Sequence, residues 1–261
     1  CDVAVVEPYA SVQQVYAGAI VFTRLAAMVM TMPAVGDQAV PVTIRLSFAL
    51  LLTLTLTPVV MPVLPVPPAE LAEMALQVVR EVFIGLMMGL VMRIFMASLS
   101  VAGEIISIQS TLSFAQTSAP GLVEPSTTVG TFIGLIGLIL IFTTNLHHLF
   151  LGAMVNSYNI FPFGVSASVN DSGQLAIRTL SEAFRLGVQL SAPVLVLGLV
   201  FNVALGLAAR IMPQFQVFFV ASPLMVLLTL ALLALSLGLI GMVWVNGYGG
   251  LLKSFAGVSG G

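Results

Sequence analysis

The sequence predicts an all-α membrane protein. Three observations carry that fold class. Asp, Glu, Lys and Arg make up only 7% of the 261 residues, whereas a soluble domain carries roughly 25%. Hydrophobic residues make up 59% and gather in blocks that reach or exceed the roughly 20 residues that span a bilayer core. Proline- and glycine-rich segments separate those blocks, as expected of connections between helices.

Other classes fall away on charge and cysteine content. A formal net charge of −2 gives no basic surface for a nucleic-acid backbone. Cys1 is the only cysteine, so neither an intramolecular disulfide nor a cysteine metal cluster can form. The first eleven residues hold Asp2 and Glu7 but no Lys or Arg, unlike the start of a signal peptide. Direct insertion of the first span is the expectation, within one integral membrane domain covering 1–261.

Six blocks follow in order, at about 12–32, 42–61, 72–113, 129–159, 174–209 and 222–246. The first stops at Pro33 and a turn-rich stretch through Gln38; Pro41 opens the second. Between the second and third stand Pro62, Pro65, Pro67 and Pro68, which remove backbone donors and favour an extended elbow.

The third block has no proline over 42 residues. As one helix it would run about 63 Å at 1.5 Å per residue, twice the bilayer core of about 30 Å. Either it projects far from the lipid, or it bends near Gly85, Gly89 or Gly103, or it belongs to an assembly oriented unlike an ordinary bundle. Arg93, Ala97, Ser100, Glu104, Ser107 and Thr111 recur at steps of three and four, which places them on one helical stripe. A charge at mid-bilayer costs about 2.5–3.5 kcal/mol on insertion scales. Arg24, Arg93 and Glu104 therefore face protein or water. Two readings of the stripe stay open: a helix interface glued by small and hydroxyl residues, or the lining of an aqueous path.

In the fourth block, Asn145-Leu146-His147-His148 reads as a polar corner. Adjacent histidines diverge by about 100° on a helix, which argues against a shared metal. The loop from Phe161 to Gly173 ends in helix-start residues, and Phe161 and Phe163 suit headgroups or a neighbour. The fifth block opens with Arg178, Glu182 and Arg185, spaced to pair on one face. Later come Asn202, Gly206 and Arg210 at four-residue steps, with Pro193 upstream. Arg45 and Arg210 lie near odd-numbered connections and Arg80, Arg178 and Lys253 near even ones, so the basic residues assign no orientation.

The segment joining the third and fourth blocks, Leu112 to Thr128, mixes small residues with Pro120, Gly121 and Pro125. It reads as a plain surface connection or as a re-entrant gate, since non-helical backbone at membrane depth needs protein or water around it.

Several short motifs, in order, carry a resemblance. They are Arg24 with the Met-rich run to Pro33, Pro41 through Arg45, Arg80-Glu81 with Ile84-Gly85-Leu86, Glu104…Gln109…Phe114-Ala115, and Asn202…Gly206…Arg210…Pro213-Gln214. Together, over about residues 12–250, they resemble the FliR family of type III export-gate proteins.

The resemblance implies a fold of long helices arranged as hairpins, similar to a fusion of the FliP and FliQ folds within a helical assembly. It implies a subunit of the flagellar export gate in the bacterial inner membrane, at the basal body. Its partners would be FliP and FliQ homologues, an FlhB-type switch protein, and unfolded proteins in transit. No enzymatic activity and no cofactor are implied. The pore plug would be Phe114, Ala115, Gln116, Thr117, Ser118, Ala119, Pro120, Gly121, Leu122, Val123, Glu124 and Pro125. The acid-proline pair Glu124-Pro125 comes later here than in many relatives. Arg24, Arg80, Glu81, Arg93, Ser100, Glu104, Asn202 and Arg210 would be buried polar or inter-subunit residues, with Arg93 and Glu104 holding the stripe against neighbours. Met87, Met88, Met92 and Met96 read as adaptable packing.

The competing class is a secondary transporter that couples ions through intramembrane charges, but no internal repeat supports it. An intramembrane enzyme would need a nucleophile–base pair or a metal triad, and no such motif is present.

Overall fold

A computed structural model describes residues 12–37, 39–60, 67–68, 70–112, 127–163, 169–211 and 217–257. The described residues form seven helices: α1 Val12–Thr31, α2 Val42–Val60, α3 Leu71–Gln109, α4 Thr128–Thr143, α5 Leu146–Ile160, α6 Val169–Ile211 and α7 Val217–Ala256. Five are long and apolar enough to cross a membrane, and α4 with α5, bent by 74° at their junction, passes that test together as a broken span or a re-entrant loop. The protein is an all-α membrane protein.

Helix α3 runs uninterrupted for 39 residues, about 58 Å. Its glycines do not break it. They are the places where neighbours come close. A Cβ on Gly85 would stand 2.5 Å from the Arg24 carbonyl oxygen and 2.7 Å from Ala27 Cβ, and one on Gly89 would strike the Thr31 side chain. Gly85 and Gly89 thus form the small-residue pair that lets two membrane helices approach backbone to backbone.

The fourth apolar block, expected as one stretch, divides at Thr144-Asn145. Asn145 takes a left-handed φ of 59°, a conformation that Asn tolerates better than most residues. Thr144 Oγ1 donates to the Leu140 carbonyl at 2.6 Å, which closes the end of α4. The sixth block is longer than hydropathy indicated, because α7 extends to Ala256.

The chain divides into two compact units. One comprises Cys1–Arg93, His147–Arg178 and Leu251–Gly261; the other Ile94–Leu146 and Thr179–Gly250. In the first, α1 packs on α2, and Val21, Leu25, Val29, Ile84, Met88 and Val91 are buried core residues. Met87 and Met92 are buried too, in keeping with the packing role expected of them. In the second, Phe95, Tyr248 and Trp244 stack at centroid spacings of 5.3 and 4.9 Å. Trp244 Nε1 there donates to Ser98 Oγ at 3.2 Å, which satisfies the indole inside the core.

Candidate functional site: a buried ion pair and a clamped loop base

Arg24 lies in the middle of α1 with none of its surface exposed. Five N–H donors in an apolar core must all find acceptors. Arg24 Nε–H donates to a Glu81 carboxylate oxygen on α3 at 2.5 Å, with both side chains essentially buried. One terminal nitrogen donates to the Ser157 carbonyl at 3.0 Å and to Ser157 Oγ at 3.4 Å. The other donates to the Phe161 carbonyl at 3.0 Å. The guanidinium also lies over the rings of Tyr158 and Phe163, with centroids 4.3 and 5.1 Å away. A cation over aromatic faces gains further when desolvated.

The cluster fastens α1 to α3 and to the end of α5 through one side chain. Removing either charged partner would leave the other buried and alone, at a cost of about 3–5 kcal/mol. Tyr16, two turns before Arg24, extends the polar seam by donating from its hydroxyl to Gln77 Oε1, and Gln77 lies one turn before Glu81.

In the second unit, Glu104 is half-buried, and its Oε1 accepts the backbone N–H of Thr127 at 2.8 Å. Thr127 in turn caps α4, its Oγ1 accepting from Gly130 N at 3.1 Å. A cap of this kind satisfies one of the free N–H groups at a helix start. The contact is close because Gly103 and Gly130 face each other; a Cβ on Gly103 would overlap Gly130 Cα and N. Just before the connection, Thr111 has a left-handed φ of 62° and ends the helix. Glu104 thus ties the Thr127 end of the 112–127 connection back to α3. The residues expected as a plug, Phe114 to Pro125, lie outside the described residues.

The polar stripe of α3 does not share one environment. Arg93, Ala97 and Ser100 are exposed, Glu104 is half-buried, and Ser107 is fully buried. Arg93 meets Asp37 at 3.7 Å in an exposed ion pair. Arg80 is half-buried, whereas its neighbour Glu81 turns into the core. Asn202 and Arg210 lie on an exposed face of α6. Of the eight residues expected to be buried or inter-subunit, Arg24 and Glu81 are buried in this chain, and Arg93, Ser100, Asn202 and Arg210 are not. Phe163, expected to face headgroups or a neighbour, instead serves the Arg24 cluster within the chain.

Sequence reasoning missed Ser157, Tyr158 and Thr127. A signal for the first two exists: a mid-span arginine cannot be satisfied by one carboxylate, so a hydroxyl, a carbonyl end and aromatic rings have to converge on it. Thr127 stands just before an apolar run, which is where a helix cap belongs.

The chain matches the bacterial export proteins, family 1, over residues 15–250. It is 56% identical over 247 residues to the flagellar biosynthetic protein FliR of Caulobacter vibrioides, covering 95% of this chain and 98% of that one. It is 29% identical to FliR of Aquifex aeolicus, covering 90% of each, and 29% identical to FliR of Escherichia coli, covering 83% and 82%. The chain belongs to the FliR family of bacterial export proteins. The family match takes in the Arg24–Glu81 cluster and the Glu104–Thr127 clamp alike, so both sites lie within the part shared with FliR.

Proposed function

We propose that this chain is a non-enzymatic subunit of the flagellar type III export gate, set in the bacterial inner membrane at the basal body. It assembles with FliP and FliQ homologues, in a fold resembling a fusion of theirs, and works beside an FlhB-type protein. Together they surround a channel for unfolded flagellar subunits. The observation that carries this reading is the alignment with flagellar FliR proteins over nearly the whole chain.

The Phe114–Pro125 segment acts as the plug of that channel. Support comes from its base: Glu104 holds Thr127, and the Gly103–Gly130 contact presses the two flanking helices together. A stopper needs an anchored base, so that its middle can move aside without the surrounding helices separating. A hydrophobic constriction of this kind gates by excluding water and needs no chemistry.

Deleting Gln116–Glu124 tests the plug. The assembled complex should then leak ions and small solutes. An assembled complex with unchanged permeability rejects the plug, and loss of export with no co-purifying FliP or FliQ homologue after substitution at Asn202 or Arg210 would bear on the assembly itself.

A further inference from the structure

Hydroxyl groups inside membrane helices usually bond back to a carbonyl one turn earlier, which satisfies them without a partner. Thr53, Ser157 and Ser236 all do so here, at 2.7–2.8 Å. Ser107 does not. Its side chain is fully buried, and among the described residues its Oγ has no hydrogen-bond partner. Thr229 is the same: fully buried, with no partner for its Oγ1 among the described residues. Both belong to the second unit, and a buried hydroxyl left unbonded is destabilising.

Ser107 lines a cavity of about 450 Å³ together with Leu112, Val129, Phe132, Leu230 and Leu233. Thr229 precedes Leu230 in sequence and lies one helical turn before Leu233. Phe132 is 50% and Leu230 46% exposed, so the cavity reaches the surface at these two side chains. Leu230 and Leu233 belong to α7, one of the helices apolar enough to cross the membrane. Apart from hydroxyls, the named lining is hydrocarbon.

We propose that this cavity binds one acyl chain of a membrane glycerolipid, with the Ser107 hydroxyl donating to the lipid's ester carbonyl. Volume argues against a helix from another protein. One turn of helix with its side chains fills roughly 400–600 Å³, so the space admits a single turn at most. A flexible hydrocarbon chain fits a narrow apolar space, and its ester oxygen lacks a donor until it meets one. The volume also falls in the usual range for small-ligand sites, about 300–1,000 Å³. The cavity is lined by Leu112 and Val129, which flank the plug connection, but lipid retention and membrane leak are separate readouts and each can fail without the other.

Native mass spectrometry of the chain, purified with the subunits that accompany it, tests the proposal. One glycerophospholipid should persist through detergent washing. Leu233→Trp, which fills the cavity, should remove it, and Ser107→Ala should lower its occupancy several-fold. Should Leu233→Trp fail to fold, phosphatidylethanolamine bearing an acyl diazirine supplies a second measurement in wild-type membranes. It should label the peptides around Phe132 and Leu233, and excess unlabelled lipid should suppress the labelling. Lipid retention unchanged by Leu233→Trp overturns the proposal. So does labelling that ignores competitor, or a photoreactive residue at position 132 that captures only polypeptide.

Discussion

Helices α3 and α6 are nearly equal in length, at 39 and 43 residues, and both could cross a membrane, yet the chain treats them oppositely. Over their most apolar eighteen residues, 56% of α3 is buried and only 11% of α6. Helix α3 finds its neighbours inside the chain, through Arg24–Glu81, Gly85 with α1, and Gly103 with Gly130. Helix α6 presents Val196, Leu199, Val200, Val203 and Leu207, each more than half exposed and spaced along one face. Equal hydropathy thus serves two ends. One helix packs against its own chain, and the other leaves an apolar face open. Asn202 beside that apolar face suits a protein neighbour better than lipid, because an amide in hydrocarbon needs an acceptor and donors of its own.

The contrast can be broken at several points. Glu81→Leu should have the largest effect, destabilising the chain by about 3–5 kcal/mol because Arg24 is left buried without its counter-charge. The double change Arg24→Met with Glu81→Leu should recover most of that loss. Denaturant unfolding in detergent measures both. A single variant as stable as the wild type would mean that the ion pair does not hold α1 to α3.

A matched pair of glycine substitutions sharpens the comparison. Gly103→Ala drives a methyl group into the Gly130 backbone, which cannot move aside as a side chain can. It should cost about 1–3 kcal/mol, as overpacking does. Gly206→Ala on α6 meets nothing among the described residues. It should stabilise the isolated chain by about 0.5–1 kcal/mol through helix propensity, and any loss of co-purifying partners would locate an interface there. Equal effects at the two glycines would erase the distinction between the helices. The smallest change belongs to Arg185→Ala. The Arg185–Glu182 pair is bonded at 2.7 Å, but both side chains are mostly exposed. Its loss should shift stability by about 0–1 kcal/mol, which thermal unfolding with and without added salt would register.

Much of the helical framework is legible in the sequence, because spanning a bilayer is a property of consecutive residues. The first block, expected at 12–32, is α1 at Val12–Thr31, and the second is α2 at Val42–Val60. The break at Asn145 was visible only as a polar corner. The stripe of α3 shows where periodicity stops informing: Arg93 and Ser107 share a face by spacing, yet one is exposed and the other fully buried. Spacing places residues on a side of a helix, but what lies opposite that side changes along 58 Å of axis.

By itself the sequence determined that this chain is a bundle of membrane helices, that its ionic residues need protein or water, and that its motifs are those of the FliR family. Hydropathy and motif order are sums over neighbouring positions, and neighbours are what a sequence records. Tertiary structure decided which charges the chain satisfies on its own. Arg24 and Glu81 are 57 positions apart and meet only because Gly85 lets α3 settle against α1. Glu104 and Thr127 meet only because Gly103 and Gly130 allow α3 and α4 to touch. Those pairings depend on a fraction of an ångström between packed backbones, a distance set by every side chain around them.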